Sequence, residues 1–255
     1  MPARPFSSLC RTAAGETAKR RPGVRRDMNV LITGGSRGIG AAIARRFGAT
    51  GAHVAICGRD EEALHEVAAD IVEAGGEATT QRADVRDEFD VERFAETAAR
   101  EGGPLDVVVA NAGVYHGDPG ETPIADESYA AFDDHVRTNG RGVFATVRES
   151  VPHLADGARV LVPSGGIARD PKPGFGSYAV SKALAEALAR QFAADLDATV
   201  GVVDPGQVST DLTDGGPGRE PADVADLFHW AATEAPAEDL DAGVLDLRTW
   251  KQATR

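Results

Sequence analysis

From residue 28 onward, short β-branched runs, most of them apolar, alternate with longer amphipathic stretches in which apolar residues recur every three or four positions. The short runs are NVLITG (29–34), AHVAIC (52–57), TTQRA (79–83), LDVVVA (105–110), ARVLVP (158–163), TVGVVD (199–204) and GVLDL (243–247). Several are apolar without interruption, as expected of strands covered on both faces in a parallel sheet. Helical patterns fall near 39–50, 60–74, 88–101, 126–155, 176–196 and 221–233. In the first of these, Ile39, Ile43 and Phe47 recur at i, i+4 and i+8 and give one apolar stripe for a sheet. The alternation predicts an α/β protein: a doubly wound parallel sheet of about seven strands with helices on both faces. No internal repeat or long linker breaks it, so residues 28–255 read as one domain.

The first 27 residues do not share the pattern. They carry seven basic residues against two acids, with no hydrophobic periodicity. They read as a disordered basic extension, with Met28 placed as an alternative start. Arg20-Arg21 suggests a twin-arginine signal, but the apolar run after it is needed as a core strand and no small-residue cleavage site follows. A basic interaction arm is the functional alternative.

Charge narrows the partners. The chain carries a formal net charge of −13, and only four of its 27 basic residues are lysines. An acidic, lysine-poor surface resembles those of halophile proteins, where salt screens the self-repulsion. It argues against nucleic-acid binding, which needs a basic footprint. No apolar run approaches the ~20 residues of a membrane span. Two cysteines, Cys10 and Cys57, imply no disulfide framework and fit a reducing cytoplasm.

Two stretches carry chemistry. TGGSRGIG (33–40) sets glycines at 34, 38 and 40 between a strand and a helix. Glycine there permits a tight turn and a close approach of backbone to phosphate, and the helix N-terminus adds free N–H groups. YAVSK (178–182) puts Tyr178 and Lys182 four residues apart, on one helical face. The ammonium is expected to pull the phenol pKa down from roughly 10 and make it an acid/base for an alcohol or carbonyl oxygen.

With these motifs in hand, the chain from about 28 to 247 resembles the short-chain dehydrogenase/reductase family. The glycine loop, NAG at 111–113, Asn139, Ser164, YAVSK and the Pro205-Gly206 pair follow in the family's order. The resemblance implies a Rossmann fold with strand order 3-2-1-4-5-6-7. It implies Tyr178 as acid/base, with Lys182 tuning it and holding the nicotinamide ribose. It implies Ser164 on the substrate oxygen and Asn139 holding helix geometry and a relay water. Gly34, Ser36, Arg37, Gly38, Ile39 and Gly40 would cradle the cofactor, Asp84 and Val85 would meet the adenine, and Asn111, Ala112 and Gly113 would line the cleft. Pro205, Gly206, Val208 and Thr210 would lie beside the nicotinamide. Ser164 precedes Tyr178 by 14 positions, one more than the family spacing, within a Pro- and Gly-rich stretch that absorbs a loop residue. Ser177 is a weaker candidate for its role.

Cofactor choice follows from charge. An acid at the end of the second strand selects NAD, and arginine there admits a 2′-phosphate. Gly58 stands where the acid would be, with Arg59 after it and Arg37 in the loop, so NADP(H) is favoured over NAD(H). Asp60 reads as a helix cap. The expected function is hydride transfer between NAD(P)(H) and a carbonyl or secondary alcohol. A dinucleotide-binding sensor without turnover is the alternative, and a sugar-nucleotide epimerase or dehydratase a third.

Other residues take plainer roles. Phe228 and Trp230 read as core or interface, Trp250 as tail, and Glu61, Glu62 and Glu66 as a solvated face. His53, His65, His116, His135, His153 and His229 show no metal-ligand spacing, and no metal is expected. Tyr115, His116, Ile167, Phe175 and Leu212 are candidates to face a small-molecule substrate beside the short 207–220 segment. The apolar run 183–196 suits a homodimer or homotetramer.

Overall fold

The structure is a computed structural model and describes residues 28–213 and 215–255. The expectations for residues 1–27 lie outside the described residues. Seven strands form the sheet: β1 (Asn29–Thr33), β2 (His53–Gly58), β3 (Glu77–Arg82), β4 (Leu105–Val109), β5 (Leu154–Pro163), β6 (Thr199–Asp204) and β7 (Val244–Asp246). All pairings are parallel, in the order β3-β2-β1-β4-β5-β6-β7. That is the fold class expected from the alternation and the resemblance.

The helices are α1 (Gly38–Gly48), α2 (Glu61–Glu73), α3 (Glu88–Gly102), α4 (Tyr129–His135), α5 (Gly142–Ser150), α6 (Gly176–Asp195), α7 (Pro221–Thr233), α8 (Ala237–Leu240) and α9 (Leu247–Ala253). Period-two alternation in β1 divides the core. Val30 and Ile32 face a cluster with Ile43 and Phe47 of α1, Leu64 and Ile71 of α2, and Leu227 and Phe228 of α7. Leu31 faces a second cluster with Phe94 of α3, Val143 and Val147 of α5, and Ala185 and Ala189 of α6. At roughly 1.5–3 kcal/mol per fully buried large aliphatic or aromatic side chain, these two layers hold the sheet between its helices.

Three local readings are corrected. The helix expected over 126–155 is broken into α4, a π-helical turn (Val136–Arg141), α5 and a 3-10 turn (Val151–His153), and Leu154 already belongs to β5. Pro152 cannot extend the ladder of α5. Gly140 and Gly142 keep the π-turn close to its neighbours, since a Cβ would lie 2.3 Å from Leu184 Cδ2 and 2.8 Å from Val85 Cγ2 respectively. β3 starts two residues before the expected 79–83 run and ends one before its end, and it is an edge strand of largely polar, half-exposed side chains with no apolar run to mark its bounds. The tail forms α9, capped by Asp246, whose carboxylate accepts from Thr249 N at 2.7 Å, and Trp250 packs on the α1/α7 core.

Candidate active site

The strand order reverses between β1 and β4, and the loops leaving their C-terminal ends open a crevice, where doubly wound sheets hold their ligands. Gly34 and Gly38 take positive φ, +68° and +55°, in the loop from β1 to α1. A Cβ on Gly40 would lie 2.1 Å from Gly34 O, so only glycine lets α1 start this close to the turn. α1 has no side-chain cap and no acid in its first turn. Its N–H groups and partial positive charge are therefore available to a phosphate, and the cradle fits a dinucleotide.

Asn111 fastens the crevice. Its Nδ2 donates to Thr33 O at 3.0 Å and Gly34 O at 3.1 Å, joining the ends of β1 and β4. Thr33 Oγ1 accepts from the backbone N–H of Asn111 and Ala112. Gly34 needs its glycine here as well, because a Cβ would meet Ala112 Cα at 2.9 Å.

At the end of β2, a Cβ on Gly58 would lie 3.2 Å from Ser36 Oγ, so the glycine loop and the place of the missing acid adjoin. Asp60 accepts from Ala63 N at 3.2 Å and caps α2, as its sequence position suggested. Arg37 pairs with Asp211 at 3.7 Å, both side chains exposed. Such a contact is worth about 0–1 kcal/mol and leaves the guanidinium easy to redirect. Asp84 is held by Arg86 and its carboxyl is pushed below the usual range, chiefly by that hydrogen bond. Val85 is buried, as are Pro205 and Val208, and Thr210 reaches within 3.4 Å of the position a Gly38 Cβ would take.

α6 supplies the tyrosine and lysine. Lys182 Nζ donates to Pro163 O at 3.1 Å, so the Tyr178/Lys182 face lies against the end of β5, immediately before Ser164. Lys182 Nζ stands 5.8 Å from the centroid of the Tyr178 ring. Burial pushes the Tyr178 phenol up to about 12 and the Lys182 amine down to about 8. The expected depression of the phenol is thus absent in this structure. Both groups are half-buried, with enough protein around them to disfavour their charged forms, and the ammonium is directed at a carbonyl rather than at the phenol.

Ser164 is buried, and its Oγ has no hydrogen-bond partner in the structure. A buried hydroxyl without a partner costs about 1–3 kcal/mol, a cost that a substrate oxygen would remove. Asn139 is 1% exposed on the π-helical turn. Its Oδ1 accepts from Val114 N at 2.8 Å, and its Nδ2 donates to Val114 O and Ser181 Oγ, both at 2.9 Å. It ties the segment after NAG to α6.

Near the tyrosine, Ser177, His135 and Glu127 form a group that was not legible in the sequence. Ser177 is not free to take the role of Ser164, because its hydroxyl lies 2.7 Å from His135 Nδ1 and 2.9 Å from Glu127 Oε1. Tyr115 meets the Tyr178 ring edge-on at 4.5 Å.

A glycine cradle at a strand-order reversal, with a tyrosine–lysine helix laid against a buried serine, defines a dinucleotide-dependent oxidoreductase. The profile of the short chain dehydrogenase family matches residues 28–217, and the chain belongs to that family. It is 37% identical over 188 residues to the short chain dehydrogenase/reductase AacuN of Aspergillus aculeatus, covering 71% of this chain and 69% of that one. It is 35% identical over 187 residues to the versicolorin reductase stcU of Emericella nidulans, with the same coverage. Among solved structures, a short chain dehydrogenase from Burkholderia cenocepacia in complex with NADP superposes with a TM-score of 0.78 at 31% identity, covering 88% of this chain and 97% of that one. The protein is an NAD(P)-dependent oxidoreductase acting on alcohol or carbonyl groups. Among the described residues no helix is long and apolar enough to cross a membrane.

Proposed function

We propose that the protein prefers NADP(H) and interconverts a ketone or aldehyde with the corresponding alcohol, with Tyr178 as acid/base. The contact of Lys182 with Pro163 O carries the reading, because it sets the tyrosine–lysine face beside the unpartnered Ser164 hydroxyl. When bound, the nicotinamide supplies or accepts the hydride. Gly34, Ser36, Gly38, Ile39 and Gly40 would hold the pyrophosphate, Arg37 and Arg59 the 2′-phosphate, and Asp84, Val85 and Ala112 the adenosine side. Gly113, Pro205, Gly206, Val208 and Thr210 would line the nicotinamide end.

Ser164 donates to the substrate oxygen and orients the reacting carbon. Tyr178, a phenol protonated at neutral pH, gives its proton to the oxygen as alkoxide character develops. In the reverse direction Lys182, once turned to the phenol, favours phenolate and lets Tyr178 accept the alcohol proton. Asn139 keeps the π-turn and α6 in register.

The absence of an acid at Gly58, with the Ser36 hydroxyl beside it, Arg59 next in sequence and Arg37 in the glycine loop, supports NADP(H), and the Burkholderia relative is solved in complex with NADP. Exposed Phe144, Val151 and Val180, with Phe144 stacked on Phe192 at 5.8 Å, support a homodimer or homotetramer formed through α5 and α6. The buried free thiol of Cys57 suits a cytoplasmic setting.

A panel of ketones and alcohols followed by NADPH absorbance tests the reading. Tyr178→Phe should lower turnover about 10²–10⁴-fold while NADPH binding persists. A variant with near-normal turnover would refute Tyr178 as acid/base.

A further inference from the structure

Behind Tyr178 lies a buried polar chain that the proposed mechanism does not use. Glu127 precedes α4, His135 ends it, and Ser177 stands one residue before Tyr178 in α6. The His135 side chain is 0% exposed and that of Glu127 4%. The His116 backbone N–H donates to His135 Nε2 at 3.0 Å. His135 Nδ1 lies 2.7 Å from Ser177 Oγ, which lies 2.9 Å from Glu127 Oε1. The Ser177 backbone N–H donates to Glu127 Oε2 at 2.6 Å.

These contacts permit one direction of donation. Because His135 Nε2 accepts, the neutral ring carries its proton on Nδ1 and gives it to Ser177 Oγ. The hydroxyl proton is then left for Glu127, whose carboxylate accepts twice. Removing any member leaves a buried donor or acceptor without a partner.

The chain grips two segments that flank the phenol. α6 has no side-chain cap at Phe175, and the Glu127 carboxylate serves its first turn instead. Gly176, at φ +45°, makes room, since a Cβ there would lie 2.6 Å from the carboxylate. At the other end, the N–H held by His135 belongs to the residue after Tyr115, the ring packed edge-on against Tyr178. The His135 ring itself stands 6.0 Å from each of the two tyrosine rings.

We propose that Glu127, Ser177 and His135 are positioning residues: they lock the first turn of α6 to the Tyr115–His116 segment and so hold the Tyr178 phenol in its reactive orientation. The inference rests on Tyr178 being the acid/base. None of the three needs to touch the substrate, so their loss should appear in turnover rather than in binding.

The test measures kcat, ketone KM and NADPH Kd for Glu127→Gln, Ser177→Ala, Ser177→Thr and Tyr178→Phe. Glu127→Gln replaces an acceptor oxygen by a donor amide at nearly constant shape. It should lower kcat about 10–100-fold, the effect of a small misplacement of a reacting group. KM and Kd should stay within about threefold of wild type, the signature of an interaction felt in the chemical step. Ser177→Ala should fall likewise, and Ser177→Thr, which restores the hydroxyl, should recover most of the loss. If Glu127→Gln does not fold, as judged by circular dichroism, Ser177→Ala carries the test, because it keeps both the carboxylate and the backbone donor. Unchanged kcat in both variants overturns the proposal. So does a loss of NADPH affinity equal to the loss of kcat, or a folded Ser177→Thr enzyme as slow as Ser177→Ala. An inactive Tyr178→Phe beside unimpaired Glu127→Gln and Ser177→Ala sinks the positioning role alone, whereas an active Tyr178→Phe sinks the acid/base reading itself.

Discussion

The proposed preference for NADP(H) turns on Gly58. A side chain there would point at the Ser36 hydroxyl, 3.2 Å from its Cβ, which can rotate to donate to a new carboxylate. Gly58→Asp would set a negative charge against a 2′-phosphate and offer an acceptor to a 2′-hydroxyl. The ratio of kcat/KM for NADP to that for NAD should fall about tenfold or more, equivalent to ~1.4 kcal/mol. An unchanged ratio would discredit the charge argument. At this scale the sequence was legible where chemistry is local. Tyr178 and Lys182 are one helical turn apart, and the three glycines lie within seven residues. The Glu127–Ser177–His135 chain was not, because its members stand 50 and 42 residues apart and meet only after α4 has packed on α6. Nor was the raised pKa of Tyr178 legible, since spacing shows that a lysine is near but not that both groups are desolvated.

Strands were the most legible elements, because burial on both faces writes an unbroken apolar run. The 126–155 helix was the least. Pro152 marks the end of α5 in the sequence, but the π-turn has no comparable signal, because Gly140 and Gly142 are required there only through close approach to Leu184 and Val85. Histidines join elements and make them sensitive to acid. His53 Nδ1 meets Asn29 Oδ1 at 2.8 Å and its Nε2 meets Thr79 Oγ1 at 2.9 Å, linking β2 to β1 and β3. Burial holds His53, His135 and His229 below the ordinary value of 6.5. The folded state then binds fewer protons than the unfolded state just below that value. The stabilisation is complete above pH ~6.5 and is lost as pH falls through the folded pKa values. The melting temperature should therefore begin to drop below pH ~6.5, before the carboxylates titrate. Measured at high ionic strength to mute surface charge, a flat profile between pH 7 and 5 would contradict this.

Across the whole molecule, charge dominates. Beyond residue 27 the formal net charge is −18, and many arginines are already engaged on the surface, among them Arg45 with Asp70, Arg93 with Asp90 and Arg141 with Glu88. The unpaired carboxylates repel one another over a Debye length of about 10 Å at 0.1 M salt and about 3 Å at 1 M. We propose that the protein is adapted to high salt, and its melting temperature should rise as potassium chloride increases into the molar range. Equal stability in dilute buffer would remove that adaptation.

The strand order has a consequence for synthesis on the ribosome. β1 is made first yet lies third across the sheet, and its two neighbours are complete by residue 109. Four adjacent strands and the glycine cradle therefore leave the ribosome before Ser164, Tyr178 or Lys182 has been added. A message cut short ahead of residue 164 would encode a half-sheet with the phosphate cradle and none of the proposed proton-transfer groups.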